Sequence, residues 1–321
     1  MSLNSQSQPD NKSLIRLEYI SCPLCDHPSF DIIYKGITSI NNCSASSDKS
    51  YYPTSSKGNM VNQVVRCKRC RLVYTNPREK QHDIIRKYQH YVDHTYVSEE
   101  LSRRKNARKI INYVKKEGAQ SPGRWLDVGC SVGFCVDELR AAGWDAYGIE
   151  SSRWASYFAR DLLKLNVKTG QVEHLAEYPA NYFDVVSMIV VLAHVIEPVK
   201  VISEIRRVLK DGGILFIQTP DFGCLMSRIM RSRWKTVKWQ MLYFFTLDTL
   251  RYLLTKEKFH IISHRKRSLG KEYSLNYILF HLVEKEKVRA RIHRLFKTLG
   301  SENLHIYLNL YEYLNVIAVK E

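Results

Sequence analysis

Two sets of residues in this chain have the types and spacing to do chemistry. The first is the stretch Arg124 to Glu150, RWLDVGCSVGFCVDELRAAGWDAYGIE. An apolar run ends in Asp127, a turn carries Gly129 and Gly133, a helix-period segment follows, and a second apolar run closes in Glu150. Glycines at such a turn let the backbone approach a ligand, and the start of the following helix adds free N–H groups and a positive dipole end. An acid closing the second strand accepts hydrogen bonds from two ribose hydroxyls, and Glu150 stands about 20 residues beyond the first glycine, where such an acid belongs. A dinucleotide fingerprint would need glycines at 129, 131 and 134, but Ser131 and Phe134 break it, which disfavours a nicotinamide dinucleotide. The second set is Cys22-Pro-Leu-Cys25 and Cys67-Lys-Arg-Cys70, two C-x-x-C turns that each present two thiolates to one tetrahedral zinc. The separation between them is long for a zinc ribbon. Residues 41–62, rich in Asn, Ser, Lys and Tyr, read as a loop insertion, and lengthening a loop costs little entropy.

The turn D-x-G-C-x-x-G, with its acid two residues before the first glycine, resembles motif I of the class I S-adenosylmethionine-dependent methyltransferases. The order CPLC, VVRCKRCRLVYTNPRE, tyrosine-rich linker and motif I is similar to members that carry an N-terminal zinc-binding domain, several of which act on nucleotide-linked sugars or other saccharides. The resemblance implies that Asp127 and the backbone from Gly129 through Cys130 to Gly133 hold the methionine end of the cofactor, that Glu150 holds the ribose, and that Glu173 flanks the adenine. In such enzymes the linker helps close the cleft, which makes Tyr91 and Tyr96 site candidates. The alternative is that these rings pack the linker onto the core.

The chain departs from that pattern in two places. Where the family often reads H-V-L-E-H-V after its fourth strand, this chain has Val190-Val-Leu-Ala193-His194-Val195. His194 remains at the strand end, where a histidine orients substrate or moves a proton. Where relatives place a Glu-His pair before Leu-Tyr-Phe-Phe, this chain has Gln240-Met241-Leu242-Tyr243-Phe244-Phe245, and a methionine accepts no proton. His194 and Tyr243 are left as the local candidates for a base.

Residues 222–247 contain no Asp or Glu but carry Arg228, Arg231, Arg233, Lys235 and Lys238, with Trp234 and Trp239 among them. Arginine forks bind phosphates, and indole faces hold sugar rings or bases. The same composition suits an anionic lipid surface or single-stranded nucleic acid. A formal net charge of +17 favours an anionic partner of one of these kinds. Three functions follow: methylation of a nucleotide-linked or lipid-linked saccharide or similar small anionic metabolite, methylation of RNA, or non-catalytic binding of the cofactor. The N-terminus lacks the basic-then-apolar order of a signal peptide, and no apolar run reaches a membrane span, so a cytoplasmic location is expected. A reducing compartment also favours metal ligation over disulfides for the paired cysteines.

Positioning these residues requires an α/β framework. The apolar run Phe183 to Leu192 reads as a strand buried on both faces, residues 152–164 as a helix, Glu197 to Leu209 as a helix stopped by Asp211-Gly212-Gly213, and 214–218 as the next strand. Strands alternating with such helices imply an open parallel sheet, Rossmann-like, with ligands at the carboxyl ends of its strands. The expected organisation is a disordered tail (1–15), a zinc-ribbon-like module (16–78), a helical linker (79–118) and a cofactor domain (119–321) with a helical insertion at 274–299.

Overall fold

The computed structural model describes residues 17–36, 63–265 except 120, 235, 238 and 239, 269–278 except 276, 305–321, and positions 288, 291, 292 and 294. The expected tail, the loop insertion with Cys43, most of the 274–299 insertion, and Lys235, Lys238 and Trp239 lie outside the described residues.

The N-terminal part comprises β1 (Leu17–Glu18), β2 (Phe30–Tyr34), β3 (Val64–Cys67), β4 (Val73–Thr75) and β5 (Arg78–Glu79). Helices α1 (Gln81–Gln89), α2 (His94–Ser98) and α3 (Glu100–Glu117) lead into the alternating part. There β6 (Arg124–Val128), α4 (Phe134–Ala141), β7 (Asp145–Glu150), α5 (Arg153–Tyr157), β8 (Asn166–Thr169), β9 (Phe183–Ile189), α6 (Pro198–Val208) and β10 (Leu209–Pro220) follow one another. The chain continues through α7 (Leu225–Met230), β11 (Tyr243–Phe244), α8 (Leu247–Lys256), β12 (Phe259–Arg265), β13 (Lys271–Ser274), β14 (His305–Leu308) and β15 (Tyr313–Lys320).

The main sheet has the order β12-β15-β10-β9-β6-β7-β8. Pairs from β10 through β9, β6 and β7 to β8 are parallel, and β15 runs antiparallel between β10 and β12. The chain winds from β6 outward to β8 and then crosses to β9, so the strand order reverses between β6 and β9. The loops there diverge and leave a crevice at the carboxyl ends. This is the Rossmann-like architecture that the alternation of elements implied.

Local signals set the boundaries. Ser152 Oγ accepts from Ala155 N at 3.1 Å to cap α5, Thr246 and Thr249 cap the start of α8 reciprocally, and Pro198 occupies the first turn of α6. The helix expected over 152–164 divides into α5 and a π-helical turn at Phe158–Leu162. Gly212 does not simply precede the strand that starts at 214. The strand begins at Leu209, and the pairing with β9 slips between Leu209 and Ile214, with Gly212 at φ +73° inside the bulge.

Apolar residues fill both faces of the sheet. One layer lies under α6 and α8 and runs without a break into the cysteine-bearing module; the other lies between the sheet and α3. The module borrows a strand, since its sheet has the order β11-β4-β3-β2, with Tyr243 opposite Tyr74 and Phe244 opposite Val73. Gln240 to Phe245 therefore joins the cysteine-bearing sheet to the cofactor domain. Among the described residues, no helix is long and apolar enough to cross a membrane.

Candidate active site

The turn after β6 has the backbone its glycines allow. Gly129 (φ +73°) and Gly133 (φ +85°) are both left-handed, and Gly129 N donates to Ile149 O at 2.8 Å. A Cβ on Gly129 would lie 2.5 Å from Val191 Cγ2, so the turn passes close under the loop that follows β9. Glu150 closes β7 with its carboxylate accepting from Ser131 N at 2.8 Å and Ser152 N at 2.7 Å. Burial raises its pKa against the pull of these N–H groups. Asp127 is buried and accepts from Ser187 Oγ at 2.6 Å, while Ser187 accepts from Trp125 Nε1 at 2.9 Å. Burial pushes the Asp127 carboxyl up to about 7. Cys130 is buried in the turn.

A cleft opens at the strand ends. Val128 and Gly129 form its floor, Ile149, Ser151 and Gln171 one end, and Val191, His194 and Val195 the opposite wall, while α1 covers it with Gln81, Ile84, Ile85 and Tyr88. His194 Nδ1 lies 3.0 Å from Tyr88 Oη and 3.2 Å from the carbonyl oxygen of Gln240. With the proton on Nδ1 the ring donates to that carbonyl, which only accepts, and the basic lone pair is then on Nε2. The wall that carries His194 is strained at its root. Val190 sits at φ +60°, which is unusual for a β-branched residue, and its N–H is held to Gln218 O at 2.7 Å.

Other sequence candidates are placed elsewhere. Tyr243 is not a cleft residue: it is fully buried, its hydroxyl donates to Ile196 O at 2.6 Å and accepts from Arg78 Nη1 at 3.1 Å, and burial raises its pKa. A phenol so committed ties the Ile196 loop to β5 and is not poised to take a proton from an acceptor. Trp234 offers no ring face to a sugar, because it is buried and its Nε1 donates to Glu312 at 3.2 Å. It packs in one apolar cluster with Ala193 and Met241, so the two positions where the resemblance implied a Glu and a His are here parts of one hydrophobic cluster.

Arg228, Arg231 and Arg233 are exposed along α7 and the turn after it. Tyr91 gives its hydroxyl to Asp93, and its carbonyl accepts from Ser152 Oγ at 2.6 Å, which ties the linker to the α5 cap. Tyr96 stacks on Phe134 at 6.0 Å, with the Arg103 guanidinium 4.4 Å from its ring centroid. Glu173 falls in the 3₁₀ turn Val172–Glu177, and its side chain lies outside the described residues. Tyr88 was missed in the sequence; its only signal there was membership in the run of linker tyrosines.

Cys22 and Cys25, from the turn before β2, meet Cys67 and Cys70, from the end of β3 and the turn after it, with all four sulfurs within 4.8 Å of one another. Cys22 and Cys70 are 3.4 Å apart, and Cys25 and Cys67 3.6 Å. The tight contact with Cys22 lowers Cys70 to about 5, and the same contact together with burial raises Cys22.

A family model described as a methyltransferase domain matches residues 96–264. Among curated proteins, the ubiquinone biosynthesis O-methyltransferase of Nitrosococcus oceani is 32% identical over 114 residues, which cover 34% of this chain and 48% of that protein. The protein of the same name from Methylococcus capsulatus is 35% identical over 114 residues, with the same shares of each chain. The chain thus spans about half the length of the curated relatives it matches. Among solved structures, a SAM-dependent methyltransferase from Archaeoglobus fulgidus aligns with a TM-score of 0.48 at 18% identity, covering 71% of this chain and 100% of that one.

Proposed function

Because this chain belongs to the methyltransferase-domain family, whose members here are S-adenosylmethionine-dependent enzymes, we propose that it methylates a nucleotide-linked or lipid-linked saccharide or a related small anionic metabolite. The observation that carries this reading is His194, which lines the cleft beside Gly129 with its Nδ1 3.2 Å from the Gln240 carbonyl oxygen.

When bound, S-adenosylmethionine supplies a methyl group on an activated sulfonium, so the chain's own work is placement and proton handling. The Gly129 to Gly133 backbone holds the cofactor close, and the space a Cβ would fill at Gly129 is what permits the approach. Glu150, pinned by Ser131 and Ser152, presents its carboxylate to a vicinal diol. The Nε2 lone pair of His194 takes the proton of the acceptor hydroxyl, and Tyr88 with Gln240 fixes the ring. With Ala193 and Met241 packed apolar, His194 is the base in this reading.

The cysteine cluster fits zinc in this reading. A tetrahedral ion with bonds of about 2.3 Å keeps its sulfurs about 3.8 Å apart, close to the spacing here, and a divalent cation offsets the repulsion of neighbouring thiolates. Cys22, Cys25, Cys67 and Cys70 are the ligands, and the role is structural.

A phenolic acceptor is the second reading. The curated relatives are named for O-methylation in ubiquinone biosynthesis, and the cleft walls are largely apolar. Protein incubated with methyl-labelled S-adenosylmethionine and separate pools of nucleotide sugars and glycolipids, phenolic quinone precursors, and ribosomal and transfer RNA distinguishes the readings. Label in the sugar pool is the expected result. Label confined to phenols or to RNA overturns the saccharide assignment, and tight cofactor binding without transfer to any pool points to a non-catalytic protein.

A further inference from the structure

On the α3 side of the sheet, towards the carboxyl end of β10 and the start of β15, lies a second polar region apart from the cleft under α1. Gln218 and Asn315 face each other across β10 and β15, and both are buried. Gln218 Nε2 donates to Asn315 Oδ1 at 2.8 Å. That bond leaves Gln218 Oε1 and Asn315 Nδ2 buried without a hydrogen-bond partner among the described residues. Strand alternation puts both on the face of Phe216 and Ile317, which pack with Ile110, Ile111 and Val114 of α3.

Tyr313, on the same face of β15 as Asn315, links this pair to two cations, with Lys271 against its ring and Arg103 within electrostatic reach. Arg103 of α3 has a buried Nε with no partner among the described residues. Its guanidinium lies 4.4 Å from the ring centroid of Tyr96 and 5.9 Å from that of Tyr277. Lys271 opens β13, with its Nζ 3.7 Å from the ring centroid of Tyr313. Tyr273 and Tyr277 stack at 5.3 Å.

The β13 strand is fastened to α3, which makes this arrangement rigid. Asn106 exchanges hydrogen bonds of 3.1 and 2.8 Å with the Glu272 backbone, Lys109 pairs with Glu272 at 2.8 Å, and Ser274 bonds to the Glu99 carboxylate through both its N–H and its hydroxyl. Neither Arg103 nor Lys271 has an ion pair at salt-bridge distance among the described residues; burial alone would lower the Arg103 pKa, but Glu99 and Asp93 lie within electrostatic reach and help to raise it. Glu312 is the acid within electrostatic reach of Lys271, and burial with the repulsion of Arg103 prevails, lowering Lys271 to about 7. The buried Gln218 Oε1, Asn315 Nδ2 and Arg103 Nε have no partner among the described residues, and buried polar atoms left so are costly unless something else meets them.

We propose that this region binds the phosphate of the methyl acceptor, with Arg103 and Lys271 holding its oxygens and Asn315 Nδ2 donating to it. The proposal rests on the methyl-transfer reading above. Tyr96, which lies within electrostatic reach of both Arg103 and Asp127, connects the region to the glycine turn. This built cation pair takes over the phosphate-binding role that the sequence suggested for the exposed Arg228, Arg231 and Arg233.

The test is calorimetric titration of inorganic pyrophosphate into the full chain saturated with S-adenosylhomocysteine. Wild type binds pyrophosphate, Lys271→Met weakens that binding at least tenfold, and Lys271→Arg restores it to within about threefold, a readout that a merely structural lysine would not give. Affinity for S-adenosylhomocysteine stays within twofold in all three proteins. Pyrophosphate binding that ignores Lys271→Met, or no pyrophosphate binding by a protein that does bind S-adenosylhomocysteine, overturns the proposal and leaves the methyl-transfer reading standing. A tenfold loss of S-adenosylhomocysteine affinity in Lys271→Met also overturns it, because the cations then serve the cofactor's own carboxylate. If folded wild type fails to bind S-adenosylhomocysteine at all, the methyl-transfer reading falls and takes this one with it.

Discussion

Replacing Gly129 with alanine sets a methyl group 2.5 Å from Val191 Cγ2 and 3.1 Å from its Cγ1, at a backbone φ of +73°. Two costs add. Holding an L-residue in the left-handed region costs about 1–2 kcal/mol, and pressing a methyl into a packed neighbour costs about 1–3 kcal/mol. Val191 has little freedom to move, because Val190 beside it is already at φ +60° and bonded to Gln218 O. The sum, about 2–5 kcal/mol, corresponds to a fall in melting temperature of roughly 5–15 °C for a chain of this size. Gly212 is the control. It has the same φ of +73° but nothing within 4 Å of an added Cβ, so Gly212→Ala carries only the first cost. The assay is thermal unfolding of both variants, with calorimetric titration of S-adenosylhomocysteine at a temperature where both are folded. Gly129→Ala should melt lower than Gly212→Ala and bind at least tenfold more weakly, since displaced Val191 intrudes on the cleft, while Gly212→Ala should bind like wild type. Equal melting temperatures and equal affinities would refute the close approach of the turn to Val191 and its link to the cofactor.

Four further outcomes are expected. His194→Ala lowers kcat about 100-fold or more with cofactor affinity unchanged, and Tyr88→Phe, which removes one hydrogen bond from the ring, lowers it about tenfold or less; steady-state kinetics on an identified acceptor checks both. Metal analysis finds one zinc per chain, and Cys67→Ser releases it. Because β11 pairs with β4 of the same sheet, that variant also weakens S-adenosylhomocysteine binding, and metal-free wild type with unaltered melting and binding contradicts the zinc assignment. Burial lifts Asp127 from its ordinary 3.8 to about 7, so between those values the folded chain keeps a proton that the unfolded chain has released. Stability from this group therefore falls as pH rises across that window, and Asp127→Asn should flatten the slope measured by urea unfolding at pH 4.5 and 7.5. Glu150→Ala weakens S-adenosylhomocysteine at least tenfold, about 1.4 kcal/mol, by calorimetry; unchanged affinity removes Glu150 from the ribose role.

Features built from neighbours in the chain were legible before any coordinates. The Gly129 to Gly133 turn, Glu150 at the end of its strand and the C-x-x-C pairs each depend on a few adjacent residues, and backbone sterics and strand or helix period tie such residue types to one local geometry. The alternation of strands and helices also carried the sheet, because parallel strands need crossovers and crossovers set the winding. Burial and partnership were not legible. Tyr243 and Trp234 read as site residues because a phenol and an indole suit chemistry at a surface, but solvent access depends on what arrives from elsewhere, here Arg78 with Ile196 and Glu312. His194 could be named from its place after β9, whereas its partners Tyr88 and the Gln240 carbonyl come from distant parts of the chain. Arg103 and Lys271 gave no signal at all, since each is an ordinary basic residue until α3 and β13 are fastened together. Short-range geometry is written in residue order, but the dielectric and the partners around a side chain are properties of packing, and only the folded chain supplies them.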